Sequence, residues 1–378
     1  TDAVATLVAQ LDLERYKATI KGLTQFGDRR QGTNRNRAAN DWIEAQLKSY
    51  GCQDVQRMTY EFNPPQFATP AAGAAGAAAA RPAPPRDPGL AQGGGRLRGL
   101  RTRPGVNQDS LRQPDARLRA LNAQPTTPGT RQQVMCTKIG STRPDEMYIV
   151  GAHMDGHGWG EAANDDGSGT AIVMELARIF SQKGVETERT IRFVLWNNEE
   201  TGLNGARAYV EQRAALQGKE DPPGSGKYPE PKWLGMIQHD MMLFDHGMPL
   251  PDGTIPKEQR PEADVNIEFQ RNSKMADASA KLAWAVHAAN TKYATDYPAQ
   301  VGPHMTNTDS APFQDLIPAI SLRENERGRE IGAGWDPHWH QPTDVFATFG
   351  DKDFRLGLNA AQSTLGALGQ LVGARIRR

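Results

Sequence analysis

The chain of 378 residues is long enough for one large α/β domain, or for one domain with an insertion. Lys plus Arg and Asp plus Glu number 44 each, so the formal net charge is zero, and neither nucleic acid nor an anionic membrane surface is expected as a partner. No apolar run approaches the roughly 20 residues that a membrane-spanning helix needs.

The N-terminal region is predicted to form helices followed by a strand. Four apolar residues between Leu7 and Tyr16 recur at roughly helical spacing. A second helix is predicted over residues 36–50, with Gly51 at the position where glycine commonly ends a helix. Residues 55–62 then predict a strand, which ends before two prolines.

Residues 71–130 differ in composition from the rest of the chain. They hold an alanine-rich run and a tract rich in Pro, Gly and Arg, with few apolar side chains and no periodicity. Such a composition buries too little surface to offset the entropy cost of ordering. We therefore interpret residues 1–378 as a single domain with a flexible, low-complexity insertion at 71–130. A basic arm for an acidic partner is the functional alternative.

From residue 132 onward, short apolar runs alternate with segments of helical periodicity. Strands are predicted at 134–139, 147–152, 190–196, 234–238 and 317–322, and helices at 166–182, 203–216, 274–289 and 354–372. Strands that alternate with helices imply a largely parallel sheet with both faces covered. The predicted fold is therefore a three-layer α/β/α sandwich around a twisted, mostly parallel mixed sheet.

Two cysteines, Cys52 and Cys136, are too few for a disulfide scaffold or for a zinc site made of cysteines alone. Two buried, inert thiols are the simpler interpretation. A single disulfide is the alternative, provided that the strand after Cys52 pairs with the strand containing Cys136. That bond would require an oxidising compartment, in keeping with a secreted or periplasmic protein whose leader is not present in this chain.

Acidic and histidine side chains cluster where predicted strands end. Ligands of such sheets gather at the carboxyl ends of the strands, so these positions are candidates for a site. The clusters are G-A-H-M-D at 151–155, A-N-D-D-G-S-G at 163–169, W-N-N-E-E-T-G at 196–202, Q-H-D-M-M at 238–242 and W-H-Q-P-T-D at 339–344. Each cluster is weak evidence alone, since Asp165 or Asp166, for example, could simply cap the following helix.

Together the clusters supply a set of metal ligands without thiolate, namely His153, Asp165, Glu200, Asp240 and His340. Nitrogen and oxygen ligands suit Zn²⁺ or Mn²⁺ in a catalytic site. Five protein ligands are too many for one catalytic zinc, and they suit two ions that share a bridging carboxylate about 3.5–4 Å apart. Adjacent glutamates after a buried strand also favour metal chemistry, because one carboxylate can bind metal while the other handles a proton. Glu199 is the spare carboxylate beside this ligand set.

The order H-x-D, N-D-D-x-S-G-x-A, E-E-T-G, a later D-M and finally H-x-P-x-D closely resembles that of the M28 family of metallopeptidases. The stretch 151–178 carries most of the resemblance, which extends from about residue 132 to the C-terminus. The tract at 71–130 is not part of the family pattern. The resemblance implies an enzyme that hydrolyses peptide substrates with two zinc ions per chain. Among such enzymes, an aminopeptidase is the first expectation.

Carried over residue by residue, the family pattern makes Asp165 the ligand that bridges the two metals. His153 and Asp240 would bind one metal, and Glu200 and His340 would bind the other. The two halves of the site would therefore share a single carboxylate.

The same resemblance makes Glu199 the general base, which takes a proton from water and delivers it to the leaving amine. Asp155 would orient the histidine that lies two residues before it. His338 could compete with the metal ligand two residues later, and His157 is assigned to the rim of the site. The family often has a cis peptide after the bridging aspartate, so we expect one after Asp165.

Three other functions fit parts of the pattern. A glutaminyl-cyclase-like transferase shares the fold and most ligand positions but uses one zinc. An M20-like deacylase would need a lid domain between the glutamate pair and the last histidine, where residues 222–271 look like loops. A binding protein without catalysis is disfavoured by the intact Glu199.

Either end of a peptide substrate could be recognised. Glu199 or Asp240 could hold the ammonium group of an aminopeptidase substrate. A carboxypeptidase would need cations for the terminal carboxylate, and Arg323, Arg327 and Arg329 follow the predicted strand at 317–322, although they could equally be surface residues. By position alone, the side-chain pocket is placed among Met242, Phe244, Trp335 and Trp339.

Overall fold

The structure, a computed structural model, describes residues 2–63, 105–244, 264–305, 307–324 and 336–377. The α-helices in these ranges are α1 (Ala3–Val8), α2 (Leu13–Thr24), α3 (Asn34–Ser49), α4 (Ala116–Asn122), α5 (Gly167–Phe180), α6 (Asn204–Arg213), α7 (Ala276–Tyr293) and α8 (Asp351–Leu371). The strands are β1 (Gln53–Phe62), β2 (Gly129–Lys138), β3 (Arg143–His153), β4 (Val185–Glu186), β5 (Arg189–Trp196), β6 (Lys232–His239), β7 (Val265–Glu268), β8 (Ala299–Gly302), β9 (Ala319–Glu324) and β10 (Arg375–Ile376).

One mixed sheet contains eight of these strands in the order β1-β2-β5-β3-β6-β9-β7-β8. The central neighbours β5, β3, β6 and β9 run parallel, whereas β1 and β2 at one edge and β7 near the other pair antiparallel with their inner neighbours. The predicted α/β fold with a mostly parallel mixed sheet is therefore confirmed. Because β3 lies between β5 and β6, His153 ends up beside Trp196, and Ala152 beside His239.

Alternate residues of the central strands pack into two separate cores. Val150 and Ala152 of β3 belong to the larger core, which they share with α1, α2, α3, α5, α7 and α8. Met147 and Ile149 belong to a smaller core with α6 on the opposite face. Helices thus cover both faces, but unequally. Within the described ranges, no helix is long and apolar enough to cross a bilayer.

Some elements differ from those expected from the sequence. The opening segment forms two helices, because the Asp12 side chain accepts a hydrogen bond from the Arg15 backbone N–H and starts α2 there. The strands β7 and β8 were not predicted, and β7 lies in a region expected to be loops. Each has only four residues, too few to show a period in the sequence. Gly51, in contrast, follows α3 with a φ of 77°, as predicted.

Residues 105–130 were expected to belong to a flexible insertion, and this part of the expectation is wrong. They form a short 3₁₀ turn, helix α4 and the start of β2. The buried side chain of Asn122 donates to the Gly160 carbonyl at 2.8 Å and accepts from the Asp28 backbone N–H at 3.1 Å. Such specific polar contacts anchor α4, and composition does not reveal them. The remainder of the tract, residues 71–104, lies outside the described residues.

Cys52 and Cys136 form a disulfide, so the interpretation as two thiols is wrong and the alternative is confirmed. The strands β1 and β2 pair antiparallel, with Gln53 opposite Thr137. This pairing brings the two cysteine Cα atoms to 6.0 Å, a normal separation for a disulfide.

Candidate metal centre

The predicted metal ligands converge at the carboxyl edge of the central strands. His153 is the last residue of β3, Asp240 directly follows β6, and Glu200 lies four residues after β5. Asp165 immediately precedes the N-cap of α5, and His340 lies in the loop before α8. Three of the predicted ligands therefore lie at or after the ends of neighbouring parallel strands, and the other two lie on loops.

Asp165 lies between the two histidines, with one carboxylate oxygen towards each. Its Oδ1 is 3.2 Å from Nε2 of His153, and its Oδ2 is 2.9 Å from Nε2 of His340. Asp240 Oδ1 is 3.6 Å from the first histidine, and Glu200 Oε2 is 2.8 Å from the second. The two oxygens of Asp165 thus face different histidines, and the bridging assignment stays a prediction.

The backbone around Asp165 is held by neighbouring carboxylates. The peptide bond between Asp165 and Asp166 is cis, as expected. Asp166 caps α5 through the Gly169 N–H at 2.9 Å, and its other oxygen accepts from the His153 backbone N–H at 3.0 Å. Asp344 Oδ2 accepts from the Asp165 N–H at 3.0 Å. Asp166 is therefore the helix cap, which leaves the Asp165 side chain directed at the histidines.

Asp155 contacts His153 through its backbone and not through its carboxylate. The Nδ1 atom of His153 is 2.9 Å from the Asp155 carbonyl oxygen, but 3.7 Å from the nearest carboxylate oxygen. The carboxylate instead accepts the backbone N–H groups of Glu199 at 3.1 Å and Glu200 at 3.3 Å. Asp155 therefore links the end of β3 to the glutamate pair after β5.

His157, which was assigned to the rim, lies within the ligand cluster. Its Nε2 is 3.1 Å from Glu200 Oε2 and 3.1 Å from His340 Nδ1. It could hold a metal together with these two side chains. Its position two residues after Asp155 was the only sequence signal for this placement. His338 contacts Thr343 at 2.8 Å, and it belongs to none of the candidate metal groups among the described residues.

The arginine and apolar residues expected to recognise substrate differ in their position relative to the cavity. Arg323 is buried, lines the metal cavity and contacts Asp240 Oδ2 through Nη1 at 3.1 Å. Trp339 also lines the cavity and stacks on His340 with ring centroids 3.5 Å apart. Met242 and Phe244 are fully buried, so they do not line the cavity and the pocket assignment is wrong for them. Arg327, Arg329 and Trp335 lie outside the described residues.

The carboxylates of the cluster favour the binding of cations. Four carboxylates, from Asp165, Glu199, Glu200 and Asp240, surround the Nε2 atoms of two histidines. Oδ1 of Asp240 is buried and has no hydrogen-bond partner among the described residues. A buried carboxylate oxygen without a donor is costly, and a metal ion is a partner that removes this cost. The residues present therefore fit a divalent cation.

Two neighbouring glutamates have opposite pKa shifts. Burial raises the pKa of Glu199 well above its usual range, and the facing His153 only partly offsets this. Burial and the Asp165 charge also act to raise the pKa of Glu200, but His157 and His340 outweigh them and lower it to about 2. Adjacent side chains thus differ in proton affinity.

Comparisons with known proteins identify similar peptidases. The model for peptidase family M28 matches residues 134–355. Carboxypeptidase Q of Xenopus laevis is 40% identical over 73 residues, which cover 19% of this chain and 16% of that protein. The probable lipoprotein aminopeptidase LpqL of Mycobacterium tuberculosis is 26% identical over 220 residues, covering 57% of this chain and 41% of its own length. These matches therefore span less than half of each relative.

Solved structures share the fold over nearly the whole chain. An aminopeptidase from Aneurinibacillus sp. strain AM-1 has a TM-score of 0.60 at 19% identity, covering 100% of this chain and 97% of its own. A glutaminyl cyclase from Porphyromonas gingivalis has a TM-score of 0.58 at 16% identity, covering 96% and 99%. Because the family model spans more than half of the 378 residues, the chain belongs to peptidase family M28.

Proposed function

We propose that the protein is a zinc-dependent aminopeptidase that uses two metal ions to release N-terminal residues from peptides. The observation that carries the proposal is Asp165, which directs one carboxylate oxygen to each of two ligand groups. His153 and Asp240 complete one group, and Glu200 and His340 complete the other. When bound, the zinc ions supply Lewis acidity for the scissile carbonyl and lower the pKa of a water molecule.

Glu199 is the proton carrier in this proposal. Its side chain lines the cavity beside the ligands, and its nearest oxygen is 3.9 Å from His153 Nε2. A carboxylate at this position can accept a proton from water and then release it to the leaving amine. The Asp155 carboxylate fixes the Glu199 backbone and holds it against the end of β3.

The charges around the cavity favour the N-terminal end of a peptide. Four carboxylates line it, and a carboxylate oxygen that does not bind metal can accept hydrogen bonds from an ammonium group. Arg323, a cation that lines the cavity among the described residues, contacts Asp240 at 3.1 Å. Its position there nonetheless makes carboxypeptidase activity the second candidate, because a guanidinium can also bind a terminal carboxylate. The disulfide supports a secreted or periplasmic location.

Product analysis on one tetrapeptide separates these candidates. The free peptide, its N-acetylated form and its C-amidated form are each incubated with protein of measured zinc content. An aminopeptidase releases the first residue from the free and amidated forms only, and it holds two zincs per chain. Release of the last residue from the acetylated form indicates a carboxypeptidase. One zinc per chain, together with cyclisation of an N-terminal glutamine, would replace the proposal with a glutaminyl cyclase.

A further inference from the structure

The side chain of Gln113 connects two loops that carry histidines of the candidate centre. It is only 2% exposed. Its Nε2 donates to the Trp159 carbonyl at 2.7 Å and to the Pro342 carbonyl at 3.0 Å. Trp159 lies two residues after His157, and Pro342 lies two residues after His340. A single amide group thus fixes both loops relative to each other.

The segment before Gln113 adds two more hydrogen bonds to the same loop. The backbone N–H of Asn107 donates to the His340 carbonyl at 3.0 Å. The Gln341 side chain donates to the Gly105 carbonyl at 2.7 Å. His340 itself has a φ of 55°, a left-handed conformation that a residue with a Cβ adopts only when surrounding contacts impose it. Residues 105–113 supply such contacts.

The two halves of the centre differ in what supports them. His153 ends strand β3, and Asp240 directly follows β6, so hydrogen bonds of the sheet position both. His340 lies in a loop, outside the strands and helices of the described chain. Loss of a contact to that loop therefore changes the position of His340 more than that of His153.

We propose that Gln113 is a positioning residue for the metal bound by His340, Glu200 and Asp165. This inference rests on the proposed dinuclear function. Its amide holds the loop of residues 338–342 against the loop of residues 157–159, which keeps the His340 ring directed at Asp165. Residues 105–113 precede the part of the chain that matches the family model, so this support comes from outside that match.

The test compares zinc binding by wild type, Gln113→Met and a matched control. Methionine keeps the length of the side chain but removes both donors. Asn290→Leu is the control, since the buried Asn290 amide donates to Ser363 at 2.9 Å between α7 and α8, and neither residue lines the cavity. Zinc-free protein is titrated with zinc against a competing chelator, which yields two dissociation constants. We expect Gln113→Met to weaken one zinc at least tenfold and to leave the other unchanged, and the control to change neither.

Gln113→Glu provides a second variant in case Gln113→Met folds poorly. It keeps the acceptor for the Asp115 backbone N–H, which the native side chain binds at 3.1 Å, and in its ionised form it too lacks the donors. Unchanged affinities for both zincs in a folded variant would overturn the positioning role, and so would an equal loss of both. Wild-type protein that binds fewer than two zincs would instead refute the proposed dinuclear function.

Discussion

Removal of the Cys52–Cys136 disulfide should cost a large share of the stability of the fold. The two residues are 84 positions apart, so the bond closes a long loop in the unfolded chain. For a loop of this length, the chain-entropy relation predicts a loss of about 4.6 kcal/mol at 25 °C when the bond is absent. A domain is typically stable by about 5–15 kcal/mol, so the double variant Cys52→Ala/Cys136→Ala should unfold at much lower urea concentration.

Urea unfolding with saturating zinc measures this loss, because bound ligand must not differ between samples. Wild type, reduced wild type and the double variant are compared, and the last two should agree. Zinc content should stay unchanged, because the candidate ligands lie at or after the ends of the strands. Cys136 lies opposite Phe193, which is three residues before the end of β5. A loss below about 1 kcal/mol would refute the reasoning, since it lies well below the usual range for a native disulfide.

Further predictions concern the centre and its surroundings. Glu199→Gln should retain its metal and lower kcat by about 10²–10⁴-fold, because an amide cannot accept the proton. Glu200→Gln should lower the zinc content after dialysis from two per chain to one, and unchanged content would contradict its role as a ligand. Arg29 is fully buried and donates to three carbonyls of loops beside the centre, those of Met154, Glu161 and Ala162. Arg29→Met should therefore lower the unfolding free energy by about 3 kcal/mol or more in urea. Deletion of residues 71–104 should leave the circular dichroism and zinc content unchanged, and loss of cooperative unfolding would contradict the flexible interpretation.

The sequence predicted the parts of the centre that depend on strand ends. β3, β5 and β6 are apolar along most of their length, so their ends were visible, and a parallel sheet brings such ends to one edge. His153, Glu200 and Asp240 therefore lie together, as predicted. The order of the motifs added Asp165 and His340, which lie on loops that no periodicity describes.

The sequence did not predict contacts that depend on loop conformation. Asp155 binds His153 through its carbonyl because the chain turns after β3, and a motif of residue types cannot distinguish a carbonyl from a carboxylate. His157 lies in that same turn, so its contact with Glu200 was equally hidden. Helix α4 is held by Asn122, a polar side chain whose partners lie far away in the sequence.

These differences follow a physical division within the centre. The half with His153 and Asp240 is built on the sheet, whose geometry follows from hydrophobic pattern and hydrogen bonding between strands. The half with His340 depends on hydrogen bonds between loops, including those from residues 105–113. The resemblance to the family predicts which side chains are ligands in both proposed halves. In this chain, the loop positions in the second half also depend on hydrogen bonds from residues 105–113. The composition of residues 105–130 resembles that of a linker, and it therefore gave no sign of these contacts.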